Sequence, residues 1–172
     1  WFTFAANRLF VADVMGGPMR VRVFDVNGKE RQPMDIKPMA TVNTILEGDA
    51  KRVLYEMETY VEPPTWYWYD PATGVSTKSG LAPSSTVDFS DCEVVRVFAT
   101  SKDGTKIPMD ILRRKETVLN GQNPTILHAY GGYNISKTPE FDAFKRVWLE
   151  QGGVYAVAII RGGGDYGEEW HA

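Results

Sequence analysis

The chain has 172 residues, of which 43% are hydrophobic and 24% are charged, which is the composition of an ordinary globular protein. The net charge is −3 and the basic residues are scattered, so nothing in the sequence supports nucleic-acid binding. The longest uncharged apolar stretch, near 154–160, is far shorter than the roughly 20 residues of a membrane helix, so no membrane partner is expected.

The first ninety residues predict β-structure, because short runs of aromatic and β-branched residues alternate with turn signals. The predicted strands cover residues 8–14, 19–26, 53–59 and 65–69. Asn27-Gly28 predicts a two-residue type I′ hairpin turn, in which both central residues take positive φ. A longer turn is predicted from Asp70 to Gly74, where Pro71 pre-sets φ and Gly74 is free to take positive φ.

These two turns belong to a repeat of alternating strand, Asp, turn and Gly. Asp25 and Asp70 lie 45 positions apart, and this period is typical of β-propeller blades, with an ordinary antiparallel sheet as the alternative. The aromatic run 66–69 predicts packing between neighbouring sheets, because aromatic rings supply the bulk that such interfaces need. A ligand-binding platform is the alternative interpretation of the same run.

After residues 81–85, a natural boundary, the pattern changes. Residues 92–100 and 106–114 predict two strands joined by a turn at 102–105, and 124–130 predicts a strand buried on both faces. A helix is predicted over 141–151, with an apolar face formed by Phe141, Phe144 and Val147 or Trp148, and with Gly152 ending it. A second buried strand follows at 154–160, so strand, helix and strand predict a parallel pair.

Two glycine-rich segments follow the two buried strands, at the edge where such sheets bind ligands. They read Tyr-Gly-Gly-Tyr-Asn-Ile-Ser-Lys-Thr-Pro (130–139) and Arg-Gly-Gly-Gly-Asp-Tyr-Gly-Glu-Glu-Trp-His (161–171). Together with Ser-Lys-Asp-Gly-Thr-Lys-Ile-Pro-Met (101–109), they occur in the order found in the prolyl oligopeptidase family, which this chain resembles. The resemblance is strong over 91–172 and looser over 1–90. A related oligopeptidase with specificity for basic residues shares parts of these strings, but the tail after the first glycine pair favours the prolyl enzyme.

The resemblance implies a mixed fold: the last blades of a β-propeller over 1–90, followed by the N-terminal half of an α/β-hydrolase sheet over 91–172. It implies a parent serine peptidase that cleaves short peptides after proline, without a cofactor. Tyr130 matches the family tyrosine whose hydroxyl donates a hydrogen bond to the oxyanion, and a preorganised phenol suits that role. Tyr133 takes the place of a family Phe that lines the proline pocket, and its extra hydroxyl is a departure.

The sequence contains no Gly-x-Ser-x-Gly, the turn that carries the nucleophile of such hydrolases. His128 is expected in the sheet core or supporting the site, and His171 at the start of the next helix, so neither is assigned as the catalytic base. These two histidines do not form a metal-ligand set, and the expectation is no metal site. The 172 residues alone are therefore expected to be inactive and to need the remainder of the catalytic domain.

Further expectations concern two single residues, the alternative functions and the location. Cys92, the lone cysteine, is expected to be a small buried residue and not a reactive thiol. Arg161 is expected to brace its loop and not to contact RNA. The alternatives to a prolyl peptidase fragment are a non-catalytic binding module that uses the 66–69 aromatic face, and a fragment of an oligopeptidase B-like enzyme. The chain begins without Met, and either a cytoplasmic or a periplasmic location is compatible with it.

Overall fold

The computed structural model describes residues 1–49, 51–81 and 85–171, and the chain forms two compact units. The first unit comprises Trp1–Ser84 with Thr138–Phe141, and the second comprises Ser85–Lys137 with Asp142–Ala172. Sheet predominates over helix in both units. Within the described ranges, no helix has the length and apolar character needed to cross a membrane.

The first unit contains two antiparallel sheets, each connected in simple up-and-down order. The first sheet consists of β1 (Phe2–Ala5), β2 (Arg8–Val14) and β3 (Met19–Asp25), and the second of β4 (Ala40–Glu47), β5 (Val53–Thr59), β6 (Thr65–Asp70) and β7 (Val75–Lys78). The four strands predicted here are confirmed. Strands β4 and β7 were not predicted. In β4 the pairing register shifts between Val42 and Thr44, which breaks the two-residue alternation that identifies a strand.

The aromatic residues of β6 pack within the first unit. Tyr69 is buried, and its ring lies 6.1 Å from that of Phe10 on the other sheet, in an edge-to-face arrangement. Tyr67 stacks on Tyr55 of the neighbouring strand with a centroid separation of 5.4 Å. The interpretation as packing between sheets is therefore confirmed for Tyr69. The ligand-platform alternative loses its main support, because two of its four rings face protein neighbours.

The turn after β3 differs from the predicted type I′ hairpin. Gly28 has φ of 77°, but Asn27 does not lie in the positive-φ region. Instead, the Asp25 carboxylate accepts hydrogen bonds from the backbone N–H groups of Asn27 and Lys29, and the Gly28 N–H donates to the Asp25 carbonyl. Because the Asp25 side chain accepts these backbone hydrogen bonds of the turn, only Gly28 needs the left-handed conformation. The predicted turn at Asp70 is confirmed, with Gly74 at φ 74°.

The short segment Thr138–Phe141 belongs to the first unit although its sequence neighbours belong to the second. The Thr41 hydroxyl donates to the Pro139 carbonyl at 2.6 Å, and the Phe141 N–H donates to the Glu58 carboxylate at 2.7 Å. Asn43 donates to the other oxygen of the same carboxylate at 2.9 Å, which orients it. The segment is thus hydrogen-bonded to β4 and β5.

The second unit is built on one four-stranded sheet with strand order β8-β9-β11-β10. The strands are β8 (Cys92–Thr100), β9 (Lys106–Arg114), β10 (Thr125–Ala129) and β11 (Val154–Ala158), and the helices are α1 (Lys145–Glu150) and α2 (Glu168–His171). The predicted β8–β9 hairpin is confirmed. β10 and β11 pair in parallel, as predicted, and β11 also pairs antiparallel with β9.

The predicted burial of β10 is wrong. Every residue of β10, including His128, is exposed, because none of the described helices or strands packs on its faces; the strand lies at the edge of the sheet and pairs only with β11 among the described strands. The placement of His128 in the core is therefore also wrong. The prediction for β11 is confirmed, since four of its five residues are buried between β9 and β10. Strand burial depends on neighbouring layers, which an apolar run does not identify.

The predicted face of the helix is wrong at Phe144 and Val147. Helix α1 covers only Lys145–Glu150, and its buried residue is Leu149, whereas Phe144 is 86% and Val147 is 63% exposed. The chain enters the helix through a turn in which the Asp142 carboxylate accepts from the Phe144 N–H at 2.9 Å. The helix is thus shorter than predicted, and its buried side is the one that carries Leu149. The expected stop is confirmed at Gly152, which has φ of 77°.

Cys92, at the start of β8, is buried, as predicted. Its thiol lies 3.4 Å from the Asp91 carboxylate, which pairs with Arg146. Burial and the adjacent negative charge raise the pKa of the Cys92 thiol to about 11. Because the thiolate is the reactive species, the thiol is poorly reactive at neutral pH and becomes more reactive only as the pH rises towards that value.

We expect Cys92 of the folded chain to react with an aromatic disulfide reagent at pH 8 roughly 100-fold more slowly than the same cysteine in denaturant. The kinetics of thiol titration with and without denaturant measure this ratio. A variant with Cys92→Ala and Lys102→Cys carries its one thiol at an exposed position and serves as the control. Equal rates for Cys92 and the Lys102→Cys thiol in the folded state would contradict the assignment.

Candidate functional site

The candidate site is formed by two glycine-rich loops at the carboxyl ends of β10 and β11. We call residues 130–137 the first glycine loop and residues 161–167 the second glycine loop. The two strands run parallel and adjacent, so the loops leave the sheet at the same edge. Clefts at this edge are the usual ligand sites of open α/β sheets.

The two loops touch through their backbones near the sheet. A β-carbon added at Gly131 would lie 2.1 Å from the Arg161 carbonyl oxygen, and one added at Gly162 would lie 2.8 Å from the Gly131 carbonyl oxygen. Gly162 also has φ of 99°, which side chains rarely tolerate. Glycine is therefore required at both positions. We call this close backbone contact the Gly131–Gly162 crossing, and it fixes where the first glycine loop begins.

Tyr130 is the first residue of the first glycine loop and follows directly on β10. Its side chain is 37% exposed, so the phenol is accessible to a bound molecule. The Lys137 ammonium lies 5.7 Å from the centre of its ring, a cation–π contact across the loop. A β-carbon at Gly132 would lie 3.7 Å from the Tyr130 hydroxyl, so the phenol oxygen lies over its own loop.

Tyr133 lies at the tip of the first glycine loop. Tyr133 and Asn134 have φ of 55° and 57°, and the Ile135 N–H donates to the Gly132 carbonyl at 3.1 Å, which closes a tight turn. Asn tolerates this backbone conformation, but an aromatic residue is strained there by about 1 kcal/mol or more. The turn presents the Tyr133 ring to solvent with 88% of its surface exposed.

Asp165 of the second glycine loop is 1% exposed and was not singled out from the sequence. Its Oδ1 accepts the Lys137 backbone N–H at 2.8 Å, and its Oδ2 finds no hydrogen-bond partner among the described residues. Burial raises the pKa of this carboxyl, and the Lys137 N–H opposes that effect. An acid within a glycine run is a weak sequence signal, since its partner is 28 positions away.

The ends of the second glycine loop are held by polar contacts. Arg161 pairs with Asp103 of the β8–β9 turn, in agreement with the predicted bracing role. His171 lies in α2, as predicted, with Nδ1 2.8 Å from the Gly162 carbonyl oxygen. The Trp170 indole N–H donates to the Ile160 carbonyl at 3.1 Å. These contacts give each residue a structural role.

Across residues 1–49, 51–81 and 85–171, no cluster of three or more His, Cys, Asp or Glu side chains is arranged to hold a metal ion. The chemistry that the described loops offer is that of a phenol hydroxyl, on Tyr130, and an exposed aromatic ring, on Tyr133 of the same loop. Such a pair can donate a hydrogen bond and pack against an apolar ring of a ligand.

Comparison with known proteins identifies relatives along most of the chain, although no family model matches it. A prolyl endopeptidase from Elizabethkingia meningoseptica is 40% identical over 155 residues, which are 88% of this chain and 22% of that protein. An uncharacterized peptidase from Sinorhizobium fredii is 37% identical over 169 residues, which are 96% of this chain and 23% of that protein. The chain thus spans about a fifth of the length of these curated relatives.

Solved structures give the same picture. A chain from a study of two prolyl endopeptidases matches 99% of this chain with a TM-score of 0.82 and 35% identity, and the match covers 25% of that chain. Prolyl oligopeptidase B from Galerina marginata, solved with a 25mer macrocyclization substrate, matches with a TM-score of 0.88 and 27% identity over 99% of this chain and 24% of its own.

Proposed function

Because this chain belongs to the prolyl oligopeptidase family of peptidases, we propose that it supplies part of the substrate site of a serine peptidase that cleaves short peptides after proline. The observation that carries the proposal is the placement of Tyr130. Its phenol is accessible at the carboxyl end of β10, and its loop is fixed by the crossing at Gly131.

In the proposed reaction, Tyr130 donates its hydroxyl hydrogen to the oxyanion of the tetrahedral intermediate. The donor is useful because the loop holds it in place before charge develops on the substrate oxygen. The Lys137 ammonium near the ring adds positive charge on the same side, which favours an anionic intermediate.

Tyr133 is proposed to form one wall of the proline pocket. A flat, rigid aromatic ring buries the faces of a pyrrolidine ring without losing many rotamers. The strained turn at Tyr133 and Asn134 holds the ring away from the sheet, where a substrate can reach it. The hydroxyl of Tyr133 is expected to remain in water and to contribute little to binding.

The proposal includes the finer architecture. Residues 1–90 would be the last blades of a β-propeller, and 91–172 the first half of an α/β-hydrolase domain. The two up-and-down sheets of the first unit and the mixed sheet order β8-β9-β11-β10 are compatible with this. The exposed edge strand β10 offers unpaired backbone groups to a further strand, since exposed edges favour strand addition.

The nucleophile, acid and base are proposed to come from a different segment of the protein, because these 172 residues contain no Gly-x-Ser-x-Gly. The 172-residue chain by itself is accordingly expected to hydrolyse no peptide. The proposed activity therefore has to be tested in the complete polypeptide that contains these residues, with the isolated chain as the negative control.

The test compares short peptides that carry a chromogenic leaving group after proline or after arginine. We expect the complete polypeptide to cleave the proline peptide with the higher kcat/KM, and Tyr133→Ala to lower that value about 10-fold through lost aromatic packing. Tyr133→Phe keeps the ring and is expected to stay within about twofold of the wild type. Preference for the arginine peptide would support an oligopeptidase B-like enzyme, and cleavage of neither peptide would contradict the proposal.

A further inference from the structure

The buried carboxyl of Asp165 connects the two glycine loops at the end distant from the sheet. At the near end, the Gly131–Gly162 crossing sets the start of the first glycine loop. At the far end, Asp165 Oδ1 accepts the backbone N–H of Lys137, the last residue of that loop, at 2.8 Å. The first glycine loop is therefore attached to the second at both of its ends.

Between these two attachments the backbones of the two loops also approach closely. A β-carbon at Gly163 would lie 2.7 Å from the Ile135 carbonyl oxygen, and one at Gly164 would lie 2.9 Å from the Asn134 carbonyl oxygen. The Asn134 N–H also donates to the Gly162 carbonyl at 3.3 Å. Backbone-to-backbone packing of this kind transmits a shift in one loop directly to the other.

The attachment at Lys137 reaches Tyr130 through a side-chain contact. The Lys137 ammonium lies 5.7 Å from the centre of the Tyr130 ring. Fixing the Lys137 backbone therefore fixes the origin of the side chain that lies over the phenol. The position of Tyr130 is thus fixed in two ways. Its neighbour Gly131 packs against the second glycine loop, and the Lys137 ammonium contacts its ring.

We propose that Asp165 is a positioning residue for Tyr130: by holding the Lys137 N–H, it keeps the first glycine loop in the conformation in which the Tyr130 hydroxyl meets the oxyanion. This inference rests on the proposed function, since it assigns to Tyr130 the role of oxyanion donor. Asp165 itself is 1% exposed, so in this proposal it acts by holding the loop and not by contacting the substrate.

The free-energy cost of burying the Asp165 carboxyl indicates that this residue has a role other than stabilising the fold. A buried carboxyl loses favourable hydration, and Oδ2 regains no hydrogen bond from the described residues. Burial accordingly raises the pKa of Asp165. Its hydrogen bond to the first glycine loop is the one that Oδ1 accepts from the Lys137 backbone N–H. The side chain also curls back on its own loop, since a β-carbon at Gly163 would lie 2.5 Å from Oδ2.

A double-mutant cycle in the complete polypeptide tests the proposal. Asp165→Leu has nearly the same shape but no acceptor, whereas Asp165→Asn keeps an oxygen for the Lys137 N–H. We expect Asp165→Leu to lower kcat for the proline peptide about 10-fold with KM within about twofold, and Asp165→Asn to stay within about threefold of wild type. In a Tyr130→Phe background, Asp165→Leu should change kcat less than about twofold, because the group that it positions is gone.

Equal losses of kcat from Asp165→Leu with and without the Tyr130 hydroxyl would overturn the positioning role. That result differs from failure of the proposed function itself, in which Tyr130→Phe alone would leave kcat unchanged. If Asp165→Leu does not fold, the smaller Asp165→Ala takes its place in the cycle. Hydrogen exchange at the Lys137 amide is independent of activity: protection in the wild type and Asp165→Asn supports the anchor, and exchange in the wild type at the rate of a free loop amide overturns it.

Discussion

Replacement of Tyr130 by Phe is expected to lower kcat of the complete polypeptide for a proline peptide about 100- to 1000-fold, with KM changed less than about threefold. The substitution removes one oxygen and leaves the ring in place. Its effect on kcat therefore reports on a hydrogen bond made in the transition state, since a bond made equally in the bound substrate would change KM instead. Steady-state kinetics with the chromogenic peptide measure both constants.

The structure explains why a single hydroxyl is expected to contribute so much. Tyr130 follows a strand that is paired along its whole length with β11, and its other neighbour, Gly131, is locked against Arg161. A donor held on both sides loses little entropy when it binds the oxyanion, so most of the hydrogen-bond energy lowers the barrier. The ring is still 37% exposed, so the hydroxyl is accessible to a substrate carbonyl.

Tyr133→Phe is the matched control, because it removes a hydroxyl from the same loop three positions away. The Tyr133 ring is 88% exposed, and its hydroxyl has no part in the proposed reaction, so kcat is expected to stay within about twofold of the wild type. Similar losses in both variants would indicate a general disturbance of the first glycine loop. An unchanged kcat in Tyr130→Phe would remove this residue from the reaction.

The features that could be predicted from the sequence are those determined by local pattern. Strands β2, β5, β8 and β9 begin and end where alternation and turn residues place them. Each joins a neighbour through a short turn, so the information that defines it lies within a few residues. Strand β4 was not predicted, because the irregularity at Val42 and Thr44 shifts the alternation of side chains in the middle of the strand.

Burial could not be predicted in the same way, because it depends on layers that are distant in sequence. The runs that form β10 and β11 are similarly apolar, yet β11 is buried and β10 is exposed at the edge. The helix shows a related limit, since Leu149 is buried where spacing favoured Phe144. The side of a helix that is buried depends on the elements packed against it, which the spacing of apolar residues does not identify.

Some residues of the candidate site could be predicted from the sequence, and others could not. Tyr130 and Tyr133 were singled out because the string 130–139 resembles the prolyl oligopeptidase family, in which these positions carry the oxyanion donor and an aromatic pocket residue. Lys137 and Asp165 were missed because their contribution arises only when the two loops meet, through a hydrogen bond between residues 28 positions apart. Such loops can be located from the sequence, but the side chains that connect them are recognised only in the three-dimensional structure.

Replacement of Gly131 by Ala is expected to destabilise the second unit by about 3 kcal/mol or more. The added β-carbon would lie 2.1 Å from the Arg161 carbonyl oxygen and 2.8 Å from Ile160 Cγ1, well inside the closest approach of real atoms. The obstacle is backbone at the start of the second glycine loop, just after β11, so relief requires the two loops to separate where they leave the parallel strands. Hydrogen exchange of the β11 amides, Val154–Ala158, measures the loss in this unit alone.

Gly132→Ala provides the matched control one position along. A β-carbon at Gly132 would meet nothing closer than the Tyr130 hydroxyl at 3.7 Å, and Gly132 is not among the glycines with positive φ. Its effect on the free energy of unfolding is therefore expected to stay within about 1 kcal/mol. Comparable exchange rates in the two variants would contradict the close crossing of the loops. A large loss confined to Gly131→Ala would establish that the position of Tyr130 depends on the absence of a side chain beside it.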